Sequence, residues 1–325
     1  MLLVIAGLAA KFLLPETTAI RNSWDILRSM AWQVVLLAVV AQCLCYLCHG
    51  LVMRELQRVF GQTLSLLRGI AIVLASYSLS MIWGGQLTNT GTTYRWLRAS
   101  GVPGETALIT GLLLPLLNTL SFGVISAFGL AYLLATGELS TVLAIVFGSA
   151  LILLLSVAFS AWWLMRHRAY LFATLDYLSR QWAKFRRKQY EPGETRDSTR
   201  RLSEAWDRFI AGRWRLPVLG DLMSAVFDFM TLYILFFAAG YSMSPGPAIA
   251  GYGLPVLAGK LSIFPGGIGI IEGGMVGLYL SLGVPADTAV IVVLGYRLLS
   301  FWIPVLLGFP LAALLDRKSI AAEAS

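Results

Sequence analysis

Apolar runs of about twenty residues recur along this chain, and a run of that length with few charges is what a helix needs to cross ~30 Å of hydrocarbon. The segments are Ala31–Met53, Thr63–Gly85, Glu105–Ala135, Leu139–Met165, Pro217–Tyr241, Pro247–Phe264, Ile270–Leu282 and Asp287–Leu315. In lipid the backbone must satisfy its own hydrogen bonds, so these runs are read as helices. The alternating segments of about ten residues that a β-barrel requires are not found. Of 325 residues, 58% are hydrophobic and 13% are charged. A soluble domain carries roughly a quarter charged residues, so too little polar sequence is left here to cover a water-soluble core. Met1–Leu14 is apolar apart from Lys11. No A-x-A cleavage site closes it, and it is read as a short first membrane helix. The expected fold is all-α and polytopic, an integral membrane protein.

Charge sets the expected orientation. Residues 166–215 hold 13 Lys/Arg and 6 Asp/Glu, net +7 of the chain's +8. Positive charge at membrane ends marks the cytoplasmic side, which points to the cytoplasmic (inner) membrane with this insert inside. The insert turns at Glu191-Pro-Gly-Glu-Thr and carries Trp182, Phe185, Trp206 and Trp214, a composition suited to an anionic leaflet surface. Trp162 and Trp163 just before it fit an interfacial aromatic belt. The chain divides into an N-terminal membrane half, 1–165, the basic insert, 166–215, and a C-terminal membrane half, 216–325. Arg54 and Arg58 precede the segment 63–100, and Arg95 and Arg98 close it. That segment therefore leaves and returns to the cytoplasmic side, as a re-entrant or broken hairpin unwound near Gln86 to Tyr94. Segment 247–283 behaves as its mirror image from the outer side, broken at Phe264-Pro-Gly-Gly-Ile-Gly.

The two hairpins are related in sequence. At an offset of 182 residues, 11 of the 31 positions from 79 to 109 are identical to their counterparts. Gly84-Gly85 falls on Gly266-Gly267, and Gly101-Val102-Pro103 falls on Gly283-Val284-Pro285. Apolar composition would align leucines, but not these glycine pairs and turns. Charge places the copies on opposite sides, so the repeat is expected to be inverted, a transporter architecture with discontinuous helices near the midplane. Glu105 and Asp287 follow the shared Gly-Val-Pro and are read as acids in the first turn of a helix.

Charges at membrane depth are costly and are candidate site residues. Glu272 follows the glycine break, Arg297 lies well inside its helix, and Asp228 is deep in 217–241. Lys260 precedes the break and either faces inward or snorkels outward, while Asp221 is read as interfacial. Asn89, with Gln86 and Thr90, is placed to hydrogen-bond a head group. The amides at Gly266 and Gly267 are read as an anion site at a helix start. Arg95 and Arg98 are placed to attract lipid phosphate at the cytoplasmic mouth. Cys43, Cys45 and Cys48 share one apolar run, and His49 and His167 lie far apart. No metal site, cofactor or catalytic set is expected, and no nucleic-acid partner.

The string Pro265-Gly-Gly-Ile-Gly-Ile-Ile-Glu272, with Tyr296-Arg297 and Pro304, resembles the transmembrane region of lysylphosphatidylglycerol synthases. That family includes the MprF membrane domain and the stand-alone YbhN and AglD proteins. Gly91-Thr-Thr-Tyr94-Arg95-Trp-Leu-Arg98-Ala-Ser-Gly101 resembles a first-half stretch of the same family, with Trp96 where a second basic residue is common. The resemblance runs from about Ala31 to Leu315. It implies a lipid-handling membrane domain of the kind associated with moving aminoacylated phosphatidylglycerol between leaflets. The aminoacyl-transferase domain of the full synthases would follow Ser325, so that chemistry is not expected here. The leading expectation is a flippase or transporter for a polar phospholipid. The alternative is a non-transporting partner or scaffold of a lipid-synthesising enzyme, docking through the insert, with homo-oligomers compatible with either. An intramembrane transferase has the least support, because no acid/base cluster or Ser-His arrangement is present.

Overall fold

The structure is a computed structural model that describes residues 30–83, 85–137, 209–262 and 265–323 continuously, and scattered positions from 145 to 207. The expected helix over 1–14, Gly84, Trp162, and the larger part of 139–165 and of the basic insert lie outside the described residues. The described residues are helical, without a strand. They form α1 (Trp32–Val59), α2 (Leu66–Trp83), α3 (Gly85–Arg98), α4 (Gly104–Thr136), α5 (Arg215–Ala238), α6 (Pro245–Leu261), α7 (Ile270–Ser281), α8 (Ala286–Arg297) and α9 (Ile303–Glu323). A π-turn over Leu298–Trp302 joins α8 to α9. Among the described residues, α1, α4, α5 and the run Ala286–Arg317 are long and apolar enough to cross a membrane. The hairpin segments Leu66–Met81 and Ile270–Ser281 are shorter.

The offset of 182 residues reaches beyond the hairpins. It carries α1 onto α5, α2 onto α6, α3 onto α7, and α4 onto α8–α9, to within a few residues at each start. The shared Gly-Val-Pro string has a local explanation. After α3, the Gly101 N–H bonds the Arg98 carbonyl and the Val102 N–H reaches back to Leu97. After α7, Gly283 bonds Leu280 and Val284 reaches Tyr279. Both are Schellman stops with a glycine in the left-handed region at the turn, φ 82° in each, and a valine buried beside it. Pro103 and Pro285 then open the next helix, with Glu105 and Asp287 in its first turn against the helix dipole.

Equivalent helices α1 and α5 form the central seam and run antiparallel. The Ala31 N–H bonds the Ala238 carbonyl, Gln42 meets Asp228, and His49 meets Asp221. The hairpins are exchanged between halves: α6 packs on α4, and α2 packs on α9. In each of these contacts a serine donates to a carbonyl of the partner helix, Ser126 to Gly253 at 2.7 Å and Ser78 to Val305 at 2.9 Å. Close approach requires small residues at such crossings. A Cβ on Gly129 would sit 2.7 Å from the Ala250 Cα.

Buried apolar residues gather into two large clusters. One joins α5, α6, α7 and α8 to the first half of α1 and the middle of α4. The other joins α2, α3 and α9 to the last half of α1 and the first half of α4. The outer surface is apolar, with Leu36, Leu37, Leu108, Phe128, Leu219 and Leu306 exposed, while Gln42, Gln57, Asp221 and Asp228 are buried. This reverses the soluble pattern and suits helices whose outward side chains face lipid tails.

Several boundaries and placements differ from expectation. α3 is helical from Gly85, so Gln86, Asn89 and Thr90 lie on a helix and not in unwound chain. Gly85, with φ 69°, lies at the bend between α2 and α3. α1 runs on to Val59, so Arg54 and Arg58 belong to it. Asp221 is fully buried against α1.

Replacing Gly129 by Val should force α6 from α4 and lower stability by about 1–3 kcal/mol. Gly91→Ala, where nothing lies within 4 Å of the added Cβ, should leave the melting temperature in detergent unchanged or slightly raised.

Candidate functional site

The two apolar clusters leave a polar gap where they meet. Cys45 to His49 of α1 lie between the two sets of cluster residues, and Leu114 to Phe122 of α4 span the boundary between them. Both stretches line a cavity of about 220 Å³. Both hairpin breaks reach it, Gly85 from the first and Gly266 from the second. Ser80, Gln86 and Asn89 line it on one side, and Lys260, Ser262, Tyr296, Arg297 and Ser300 on the other.

The second break is held by a clamp. Non-helical backbone at membrane depth must be satisfied by neighbouring protein. Glu272 is the third residue of α7 and reaches back to accept the Gly269 N–H at 2.7 Å, one half of a capping box. Its other oxygen accepts from Arg297 Nε at 2.5 Å. Arg297 Nη2 donates to the Gly266 carbonyl at 3.0 Å, and the guanidinium lies 4.1 Å from the centre of the Phe301 ring. One planar cation thus ties the loop carbonyl to the first turn of the next helix, a task suited to arginine's fork. Gly266 and Gly267 have φ 65° and 62°. An L side chain is strained there, and Phe301 and Ile271 already occupy the space beside them.

Asp228 is buried and held from three sides. Its Oδ2 accepts the Tyr252 and Tyr296 hydroxyls, each at 2.6 Å, and its Oδ1 accepts Gln42 Nε2 at 3.2 Å. Three donors make its burial affordable. Lys260 turns inward, not outward. It donates to Asn118 Oδ1 at 2.5 Å and stands 4.3 Å above the Phe122 ring centre. The π-turn after Arg297 contributes as well, because the Ser300 carbonyl accepts the Tyr46 hydroxyl at 2.9 Å.

Of the residues expected at the site, the structure brings Asn89, Asp228, Lys260, Gly266 and Arg297 to one cavity. Glu272 stands behind Arg297, and Gly267 is buried beside the wall. The carbonyl of Gly266 accepts from Arg297, and the helix-start N–H at Gly269 is taken by Glu272, so these groups are engaged within the protein. Arg95 pairs with Asp316, which also accepts the Trp96 indole N–H, and Arg98 donates to the Val102 carbonyl. Neither arginine lines the cavity. Asn118, Tyr46 and Tyr77 are cavity residues that sequence reading passed over, and His49, weighed there only as a metal ligand, lines the cavity as well. The signal for Asn118 was available, since it is a lone amide inside a long apolar run. Among the described residues no group of His, Cys, Asp and Glu is arranged to hold a metal ion.

Residues 1–308 match the family described as the lysylphosphatidylglycerol synthase TM region. The chain is similar to three archaeal proteins named as UPF0104 membrane proteins. Identity is 29% with that of Pyrococcus horikoshii, over 60% of this chain and 60% of the relative. It is 38% with one from Methanothermobacter thermautotrophicus, over 27% of this chain and 26% of the relative. It is 32% with one from Methanocaldococcus jannaschii, over 31% and 30%. The matched segments thus span about a quarter to three-fifths of these relatives.

Removing one partner of the clamp strands the other. Glu272→Ala and Arg297→Ala should each destabilise by about 3 kcal/mol. The double variant should cost less than their sum by about 1–3 kcal/mol, measured by thermal or denaturant unfolding in detergent.

Proposed function

This multi-pass membrane protein belongs to the family of the lysylphosphatidylglycerol synthase transmembrane region, and from that premise we propose that it carries the polar head group of a phospholipid between leaflets through the cavity shared by its two hairpins. The observation that carries this reading is the placement of Lys260, Asn118, Asn89 and both hairpin breaks around one polar gap inside an apolar shell. Antiparallel packing of the equivalent helices α1 and α5 supports two copies inserted in opposite senses. Each hairpin would then enter from its own side and meet the other near the midplane. The exchange of hairpins between halves gives the two copies a surface on which to rock.

The cavity is smaller than the roughly 300–1,000 Å³ of a drug-sized pocket. It suits a head group whose acyl chains remain in the bilayer. Lys260 is the cation placed to meet phosphate. Arg297, compensated by Glu272, adds a fixed dipole, and Asn89 and Gln86 supply amides from the facing hairpin. Asp228 fixes the tyrosines of the wall and balances Lys260. In this reading the basic insert is cytoplasmic, and the chain resides in the cytoplasmic membrane.

The test is leaflet exchange of a labelled phospholipid in proteoliposomes. The protein should accelerate exchange above that of protein-free vesicles. Lys260→Ala should slow it about tenfold, in line with the loss of one charge-assisted contact. Arg95→Gln, outside the cavity, should stay within about twofold, as for an exposed ion pair. No acceleration, or wild-type exchange by Lys260→Ala, would overturn the proposal.

A further inference from the structure

Two turns before Asp228 on the same face of α5 lies a second acid with a different environment. Asp221 is 0% exposed, yet neither of its carboxylate oxygens has a partner in hydrogen-bonding geometry. His49 Nδ1 stands 3.9 Å from Oδ1, and the Ser121 hydroxyl and the Asn118 side chain face it from α4. An ionised carboxylate buried with no donor drawn into close hydrogen-bonding geometry is a costly arrangement. Asp228, also buried, is given three donors. Asp221 has a nitrogen and oxygens around it that can accept a proton from it or pass one to it. Buried groups left unsatisfied in this way mark sites with a ligand or a role.

The surroundings decide which ligand. α1 presents His49, Cys45 and Cys48 to Asp221, α4 presents Asn118 and Ser121, and α6 brings Lys260. On α5 itself Asp228 is held by two tyrosines and a glutamine. On α8, Tyr296 is engaged with Asp228 and Arg297 with Glu272. A metal cation would meet few oxygens here and the charge of Lys260 nearby. A proton needs one acceptor. His49 lines the cavity, so the site also has an opening to it.

We propose that Asp221 is a proton-binding site coupled to the head-group cavity through Asn118 and Lys260, an inference that rests on the carrier reading for its role but not for its existence. With the proton off, the carboxylate draws the Lys260 ammonium toward Asn118. With the proton on, the carboxyl is neutral and its O–H donates to Ser121, Asn118 or His49. The Lys260 charge is then left for an anionic head group. Proton and anionic head group favour each other's binding, and the coupling is reciprocal.

Infrared difference spectra of the protein in lipid vesicles, taken while the pH is stepped, test the site without reference to transport. A carboxylic-acid C=O band should grow as pH falls and be lost in Asp221→Asn. In Ser121→Ala and His49→Gln its titration midpoint should move. Absence of a band that depends on Asp221 overturns the site. If Asp221→Asn does not fold, an unmoved midpoint in both other variants overturns it. Leaflet exchange tests the coupling. It should rise as pH falls in wild type and lose that dependence in Asp221→Asn. A band at Asp221 with pH-independent exchange rejects the coupling alone, and exchange driven by sodium at constant pH rejects the choice of ligand. A band in a protein that moves no lipid rejects the carrier reading and leaves the proton site standing.

Discussion

The interrupted helix between Leu261 and Ile270 sets the terms for the rest of the structure. Its loop bends among apolar helices, and a guanidinium–carboxylate pair engages its carbonyl and amide groups. Arg297 can reach the loop because α8 runs beside α7. It holds one orientation because Phe301 lies under its plane and Glu272 accepts from its edge. The break is therefore a fixed element that brings Gly266 to the cavity wall. The first hairpin solves the same problem with less: α3 resumes at once after Gly85, and little backbone is left to satisfy.

Around these breaks the apolar residues separate into two clusters, and the polar residues occupy the seam. α1 and α4 run through both clusters, so their middle turns are the ones that face the gap. In a water-soluble protein a seam of this kind would close to bury its apolar walls. In lipid the outside is already apolar, and association relies on close packing and a few hydrogen bonds. Gly129 against Ala250, Ser126 to Gly253 and Ser78 to Val305 supply these on the two crossings where one half grips the other. The polar gap is tied together where Asp228 accepts from Gln42, Tyr252 and Tyr296 across α5, α1, α6 and α8.

Much of this was legible in sequence where the cause is local. Run length gave the helices, and the shared Gly-Val-Pro string gave the ends of α3 and α7, since a left-handed glycine, a buried valine and a helix-opening proline act within a few residues. The glycine pairs located both bends, and Glu272 and Arg297 could each be named as a charge at depth. Less was legible where the cause is tertiary. Gln86 to Tyr94 reads as polar and glycine-containing, and packing against α2 and α4 nevertheless keeps it helical. Asp221 lies near the start of α5, and its burial comes from α1, which extends past it and covers it. The inward turn of Lys260 depends on Asn118, 142 residues earlier, and periodicity carries no sign of that contact. The antiparallel seam of α1 and α5 needed their contacts as well as their spacing.

The central claim is that the gap between the two hairpins receives a phospholipid head group. Its most direct measurement is an experimental density map of the protein in nanodiscs containing anionic phospholipid. The account predicts head-group density between Lys260 and Asn89, with acyl chains leaving between helices, and its loss in Lys260→Ala. A cavity that holds only water in a well-resolved map, with lipids confined to the outer apolar surface, would contradict it.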